Sequence, residues 1–145
     1  MTSPCNPGDD DHGAAAEPSR GRRPLRVLLV DDHLLVRCRT RQQLEDIPNL
    51  QVVGEAADGY EALALARTLS PDLVFMDISM PGLDGFETTR RMKADCPHVH
   101  IIILSSYAGE SFLQHARAAG AKGYIVKGES VQRLAAAIQE IFGNR

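Results

Sequence analysis

The chain has 145 residues, 43% of them hydrophobic and 24% charged, with a net charge of −3. That length suits one domain with a single hydrophobic core, and the weak net charge excludes a global field that would gather nucleic acid or acidic membrane. The apolar stretches are too short to span a bilayer, and the N-terminus lacks the charged segment and apolar core of a secretory signal. Three cysteines, Cys5, Cys38 and Cys96, form an odd set without metal-ligand spacing, as expected of free thiols in a reducing cytoplasm.

In chain order, residues 1–24 come first, with Pro4, Pro7, Pro18, the run Asp9-Asp10-Asp11 and the basic Arg20, Arg22 and Arg23. Almost no large apolar residue is present, so this stretch is expected to be a disordered tail. A basic arm through Arg20-Gly21-Arg22-Arg23 is the sharper alternative, and a weak one at this length. From Leu25 onward, strand and helix patterns alternate. The expected strands are 26–31, 50–56, 73–77, 100–104 and 123–126, all short and rich in branched residues. The expected helices are 34–47, 59–69, 85–94, 109–119 and 130–142. Pro48-Asn49 ends the first and Ser70-Pro71 the second, Asp58 and Asp84 stand at helix starts, and Ser130 and Gly143 bracket the last. Five βα units predict a three-layer α/β sandwich around a parallel sheet, in residues 25–145.

One helix fits this scheme badly. In residues 34–47 the expected inward row is Val36, Thr40, Gln43 and Ile47, with two polar members; the alternative is a rotation toward Leu35 and Leu44. Arg37, Arg39 and Arg41 alternate without forming a stripe and read as solvated surface. Cys38 and Cys96 read as ordinary helix positions.

The chemistry is concentrated in aspartates. Asp31 and Asp32 close the first apolar run and Asp77 closes the third. Parallel strands without alternation are buried on both faces, and their C-terminal ends share the edge where open α/β folds bind ligands. If the two strands are neighbours, three carboxylates crowd one crevice, and their repulsion predicts a divalent cation among them beside a nucleophilic carboxylate. Helix capping explains one of the paired acids but hardly both.

The ordered motifs are Val30-Asp31-Asp32-His33, Phe75-Met76-Asp77-Ile78-Ser79-Met80-Pro81-Gly82-Leu83-Asp84-Gly85, Ile103-Leu104-Ser105-Ser106-Tyr107 and Ala119-Gly120-Ala121-Lys122-Gly123-Tyr124-Ile125-Val126-Lys127. On these the chain resembles the receiver domain of bacterial two-component response regulators, the CheY-like fold. Asp-Asp-His and Val53-Gly54-Glu55-Ala56-Ala57-Asp58-Gly59 are most similar to the NarL/FixJ branch. The resemblance implies a doubly wound five-stranded sheet of order 2-1-3-4-5. It implies Asp77 as phosphoryl acceptor and Mg²⁺ as cofactor, bound directly by Asp32 and Asp77, through water by Asp31 and by the Ser79 backbone carbonyl.

It further implies Lys127 as the partner of Asp77 and then of a phosphoryl oxygen, with Ser105, rather than Ser106, as donor to that group. Tyr124 is the implied switch aromatic, and Ser79 and Tyr107 tune the lifetime of the phosphorylated form. His33 is read as a polar loop residue without a catalytic role. Gly128 stands where many receivers carry a proline after the lysine, which puts a cis peptide there in doubt. The implied partners are a sensor histidine kinase and a downstream protein, a second copy among the candidates, read by the last helices and fifth strand.

Relatives of this type carry a helix-turn-helix output domain after the receiver. Only 18 residues follow Lys127 and the last helix uses them, so no output domain and no direct nucleic-acid binding are expected. The chain is then a stand-alone receiver or the receiver part of a NarL-type regulator. Two readings of other classes compete with this switch. A Mg²⁺-dependent phosphohydrolase of the haloacid-dehalogenase type would need Asp-x-Asp and a cap insertion, where this chain has Asp-Asp and none. A flavodoxin-like cofactor binder would need a phosphate loop where Asp31-Asp32 repels phosphate.

Overall fold

Each apolar run becomes a strand of one sheet in the computed structural model, which describes residues 23–143. The elements are β1 (Leu25–Val30), α1 (Leu34–Glu45), β2 (Leu50–Ala56), α2 (Gly59–Leu69), β3 (Leu73–Asp77), α3 (Gly85–Asp95), β4 (His100–Ser105), α4 (Glu110–Ala119), β5 (Gly123–Val126) and α5 (Val131–Phe142). All pairings are parallel and the order is β2-β1-β3-β4-β5, as expected. The expectations for residues 1–24 lie almost wholly outside the described residues; Arg23, within them, pairs with Asp72 at 3.0 Å.

Two apolar layers flank the sheet. Leu28, Val30, Val74, Met76, Ile101 and Ile103 pack with α2, α3 and α4 on one face. Val27, Leu29, Phe75, Ile102 and Leu104 pack with Leu44 of α1 and with Leu134, Ala137 and Ile138 of α5 on the other. Burial on both faces is what a parallel sheet with crossover helices requires, and it explains why these strands do not alternate. Helix starts follow the sequence closely. Asp58 accepts from the Glu61 amide at 2.8 Å, Asp84 from Glu87 at 2.9 Å and Ser130 from Arg133 at 3.2 Å, each satisfying an amide the helix leaves unpaired.

The first helix departs from expectation. Its buried residues are Thr40, Arg41 and Leu44, whereas Leu35 is 83% exposed. Of the expected inward row only Thr40 is buried, and of the alternative pair only Leu44 turns inward. Arg37 and Arg41 are not solvated: their side chains are 14% and 6% exposed and both pair with Glu55 of β2. The cause lies in β2. Val27 pairs with Val52 but Leu28 pairs with Gly54, so Val53 is an extra residue in the ladder. A one-residue shift turns every later side chain to the opposite face. Glu55 thus stands opposite Leu29, on the face covered by α1, and draws the two arginines inward. Cys96 is free, but Cys38 is disulfide-bonded, against the free thiol expected there.

Candidate functional site

Register brings the polar strand ends together. Val30 pairs with Met76, Asp77 with Leu104 and Ser105 with Val126. Asp31, Asp77, Ser105 and Lys127 therefore emerge at one edge of the sheet. Asp31 and Asp77 are buried, at 3% and 2% exposure, in the crevice between neighbouring strands.

Lys127 bridges them. Its Nζ lies 2.9 Å from Asp31 Oδ2 and 3.2 Å from Asp77 Oδ1, and its amide donates to the Ser105 carbonyl at 2.7 Å, fixing where the side chain starts. The second Asp31 oxygen accepts from the His33 amide at 2.9 Å, and Asp77 Oδ1 also accepts from the Ser79 amide at 3.3 Å. Asp32 is less enclosed. His33, exposed at the mouth, places Nδ1 3.2 Å from Asp32 Oδ1, within ion-pairing range. The contact is not aligned as a hydrogen bond, because Asp32 Oδ1 has no hydrogen-bond partner.

The electrostatics match the enclosure. Burial, then the charge of Asp31, pushes the Asp77 carboxyl above the ordinary carboxylate range, with Lys127 and the Ser79 amide opposing. Burial pulls Lys127 down, but its hydrogen bond to Asp31 and the charges of Asp31 and Asp77 outweigh this, and its net shift is upward. One ammonium thus serves two buried carboxylates, with a third beside them. Two buried carboxylate oxygens, Asp32 Oδ1 and Asp77 Oδ2, lack any hydrogen-bond partner. Buried anionic oxygens without donors are costly, and an oxygen-loving divalent cation answers that need. The donor set therefore fits Mg²⁺. Asp31, Asp32 and His33 also stand close enough together to hold a metal ion.

The remaining expected residues form a neighbouring group. Ser105 is fully buried at the end of β4 and its Oγ accepts from the Tyr107 amide at 3.0 Å, whereas Ser106 is exposed. Tyr124 of β5 donates its hydroxyl to the Tyr107 carbonyl at 2.7 Å. Tyr107 is half exposed and stacks on Phe112, with ring centroids 5.2 Å apart. Ser105 and Tyr124 thus hold the same loop residue by its amide and its carbonyl. Ser79 is exposed at the mouth. No cis peptide occurs among the described residues, and Gly128 takes φ +94°.

Two supports escaped the sequence reading. Gly85 opens α3 directly behind β3, where a Cβ would come within 2.3 Å of the Asp77 carbonyl oxygen. Arg37 donates to the Asp31 carbonyl at 2.6 Å while bound to Glu55. Glu55, the one charged residue of β2, and arginines four apart on one helix were the available signals.

An open parallel α/β sheet with a carboxylate cluster and a lysine at its C-terminal edge defines the class of CheY-like receivers. A family model described as the response regulator receiver domain matches residues 27–139. The response regulator GacA of Pseudomonas aeruginosa is 40% identical over 121 residues, covering 83% of this chain and 56% of GacA. The response regulator UvrY of Escherichia coli K12 is 41% identical over the same shares. A LuxR-family two-component response regulator from Aurantimonas sp. SI85-9A1 superposes with TM-score 0.78 at 40% identity, covering 81% of this chain and 84% of that one. The chain belongs to the response regulator receiver domains of two-component systems. It spans little more than half the length of these curated relatives. Among the described residues no helix is long and apolar enough to cross a membrane.

Proposed function

We propose that the chain is a phosphorylation switch in which Asp77 accepts a phosphoryl group from the phosphohistidine of a sensor histidine kinase, or from a small donor. The observation that carries this reading is the Asp77 carboxylate. It is buried at the binding edge of the sheet, with Oδ1 held by Lys127 and the Ser79 amide and Oδ2 without a hydrogen-bond partner. A carboxylate oxygen forms a bond to phosphorus as the donor's N–P bond breaks, and the departing imidazole nitrogen keeps the electron pair. Water later cleaves the acyl phosphate, returning the carboxylate and inorganic phosphate. The protein takes part in its own modification and release, as a switch rather than a turnover enzyme.

Bound Mg²⁺ would supply neutralisation of the charge on the transferring group. Asp31, Asp32, Asp77 and the Ser79 backbone carbonyl are the residues to hold it. Lys127 is placed to exchange its contact with Asp77 for a phosphoryl oxygen while keeping Asp31. Ser105 would turn its hydroxyl from the Tyr107 amide to the new group. That shift loosens the loop residue whose carbonyl holds Tyr124, so loop and tyrosine move together. The face of α4, β5 and α5, with β5 at the edge of the sheet, would present the change to a partner in the cytoplasm. Ser79 and Tyr107, at the mouth, would tune the lifetime of the phosphorylated form. This step is the same in a receiver acting alone and in one belonging to a longer NarL-type regulator.

Intact mass after incubation with acetyl phosphate and Mg²⁺ tests the reading. The wild type is expected to gain one phosphoryl group, and to lose the gain under chelation; Asp77→Asn is expected to gain none. Equal gain in the variant would remove Asp77 from its role.

A further inference from the structure

The bulge at Val53 has a consequence at the acidic crevice. It turns Glu55 toward α1, where Arg37 Nε meets Glu55 Oε1 at 2.8 Å and Arg41 Nη1 meets Glu55 Oε2. Arg41 also pairs with Glu45, Nε to Oε2 at 3.1 Å, one turn along the helix. Arg37 does something different with its second arm: Nη1 donates to the backbone carbonyl of Asp31 at 2.6 Å. The Asp31 amide meanwhile donates to the Ala56 carbonyl at 3.0 Å, at the end of the strand that carries Glu55. Asp31 is thereby held at both ends of its backbone by one unit of β2 and α1, and the acidic pair leaves β1 at a fixed angle.

We propose that Arg37, oriented by Glu55, is a positioning residue for the Asp31–Asp32 pair, setting its affinity for the divalent cation; this rests on the phosphoryl-acceptor reading of the site. Arg41 shares the same carboxylate and is the more deeply buried of the two, so tying α1 to β2 does not require Arg37. The Arg37 fork is the feature that carries the tie onward to the carboxylate loop. A lysine could reach Glu55 or the Asp31 carbonyl, but a single ammonium does not reproduce two diverging N–H arms. Groups that orient metal ligands from behind change metal affinity by about 10- to 100-fold when removed. They do so without touching the reacting atoms, so the loss is recovered at saturating metal.

The experiment compares Arg37→Met, Arg37→Lys and Arg41→Met with the wild type in the full chain. Calorimetric Mg²⁺ titration is read beside phosphoryl uptake from acetyl phosphate at graded Mg²⁺. Arg37→Met is expected to bind Mg²⁺ about tenfold more weakly, its half-saturating Mg²⁺ for uptake rising by the same factor and its uptake at saturation preserved. Arg37→Lys is expected to weaken binding in the same direction, and carries the test if Arg37→Met fails to fold. Arg41→Met is expected to melt lower with Mg²⁺ affinity unchanged. Wild-type affinity in both Arg37 variants, or an equal loss in Arg41→Met, would reduce Arg37 to a structural tie and overturn the proposal. A wild type that binds no Mg²⁺ would instead overturn the underlying reading, and the positioning role with it.

Discussion

Asp77 carries its charge against two opposing influences of its surroundings, burial first and the Asp31 carboxylate second, and Lys127 compensates incompletely. Its folded-state pKa is raised above the ordinary 3.8, so on raising the pH the unfolded chain gives up this proton first. Stability therefore falls as pH climbs from 3.8 toward the raised folded value, and the deficit persists at neutral pH. Asp77→Asn removes the charge while keeping the shape. Without Mg²⁺ it is expected to melt a few degrees above the wild type at pH 7.5, with the gap shrinking toward pH 4. Thermal melts at both pH values check this, and a variant melting below the wild type at pH 7.5 would contradict it. Adding Mg²⁺ is expected to narrow the neutral-pH gap, because a ligand that binds only the folded wild-type site stabilises it by mass action. The same reasoning explains why three carboxylates at two strand ends were readable from sequence. Charge crowding at a buried edge demands a counter-charge, and among the described residues Lys127 is the cation that pairs with both buried acids.

At the scale of elements, the strands and their order were legible because branched, unalternating runs have few alternatives once helices separate them. Register followed from order, and register alone brings Asp31, Asp77, Ser105 and Lys127 to one edge. What periodicity could not show was the rotation of α1. An extra residue in β2 leaves no mark in a string of hydrophobicities, yet it turned Glu55 inward and made Arg37 and Arg41 part of the interior. The hydrogen bonds that anchor Tyr107 to Ser105 and Tyr124 were equally hidden, since they depend on how a loop folds back over two strands. The orientation of α1 is testable through its leucines. Leu44 is fully buried against the sheet while Leu35 is 83% exposed. Leu44→Ala is expected to cost about 2–5 kcal/mol, the range for an emptied core site. Leu35→Ala is expected to stay within about 0.5 kcal/mol of the wild type. Denaturant melts of the two variants decide it, and equal losses would contradict this orientation of α1.

For the molecule as a whole, the sheet divides its labour between its two ends. The C-terminal edge gathers the carboxylates, whereas the N-terminal edge gathers cations around His100, at the start of β4. His100 packs edge-on against Phe142 of α5, with ring centroids 5.0 Å apart, and its Nδ1 is buried without a hydrogen-bond partner. Burial, then the charges of Lys93 and Lys122, with His98 adding a little, hold its pKa below the ordinary 6.5, and only Asp72 pulls the other way. The unfolded chain therefore takes up this proton before the folded chain does. The neutral imidazole's contribution is complete above pH 6.5 and is lost as the pH falls from there through the lowered folded value. That window opens at 6.5, above the range where ordinary carboxylates titrate, so acid weakening from His100 should begin earlier than theirs. Because His100 contacts the last residue of α5, the loss reaches a helix that, with α1, covers one face of the sheet. His100→Gln, which cannot take up the proton, is expected to flatten the dependence of melting temperature on pH between 7 and 5.5 while leaving phosphoryl uptake at the opposite edge unchanged. A wild-type melting temperature already flat across that interval would remove His100 as the group that first destabilises the fold in acid.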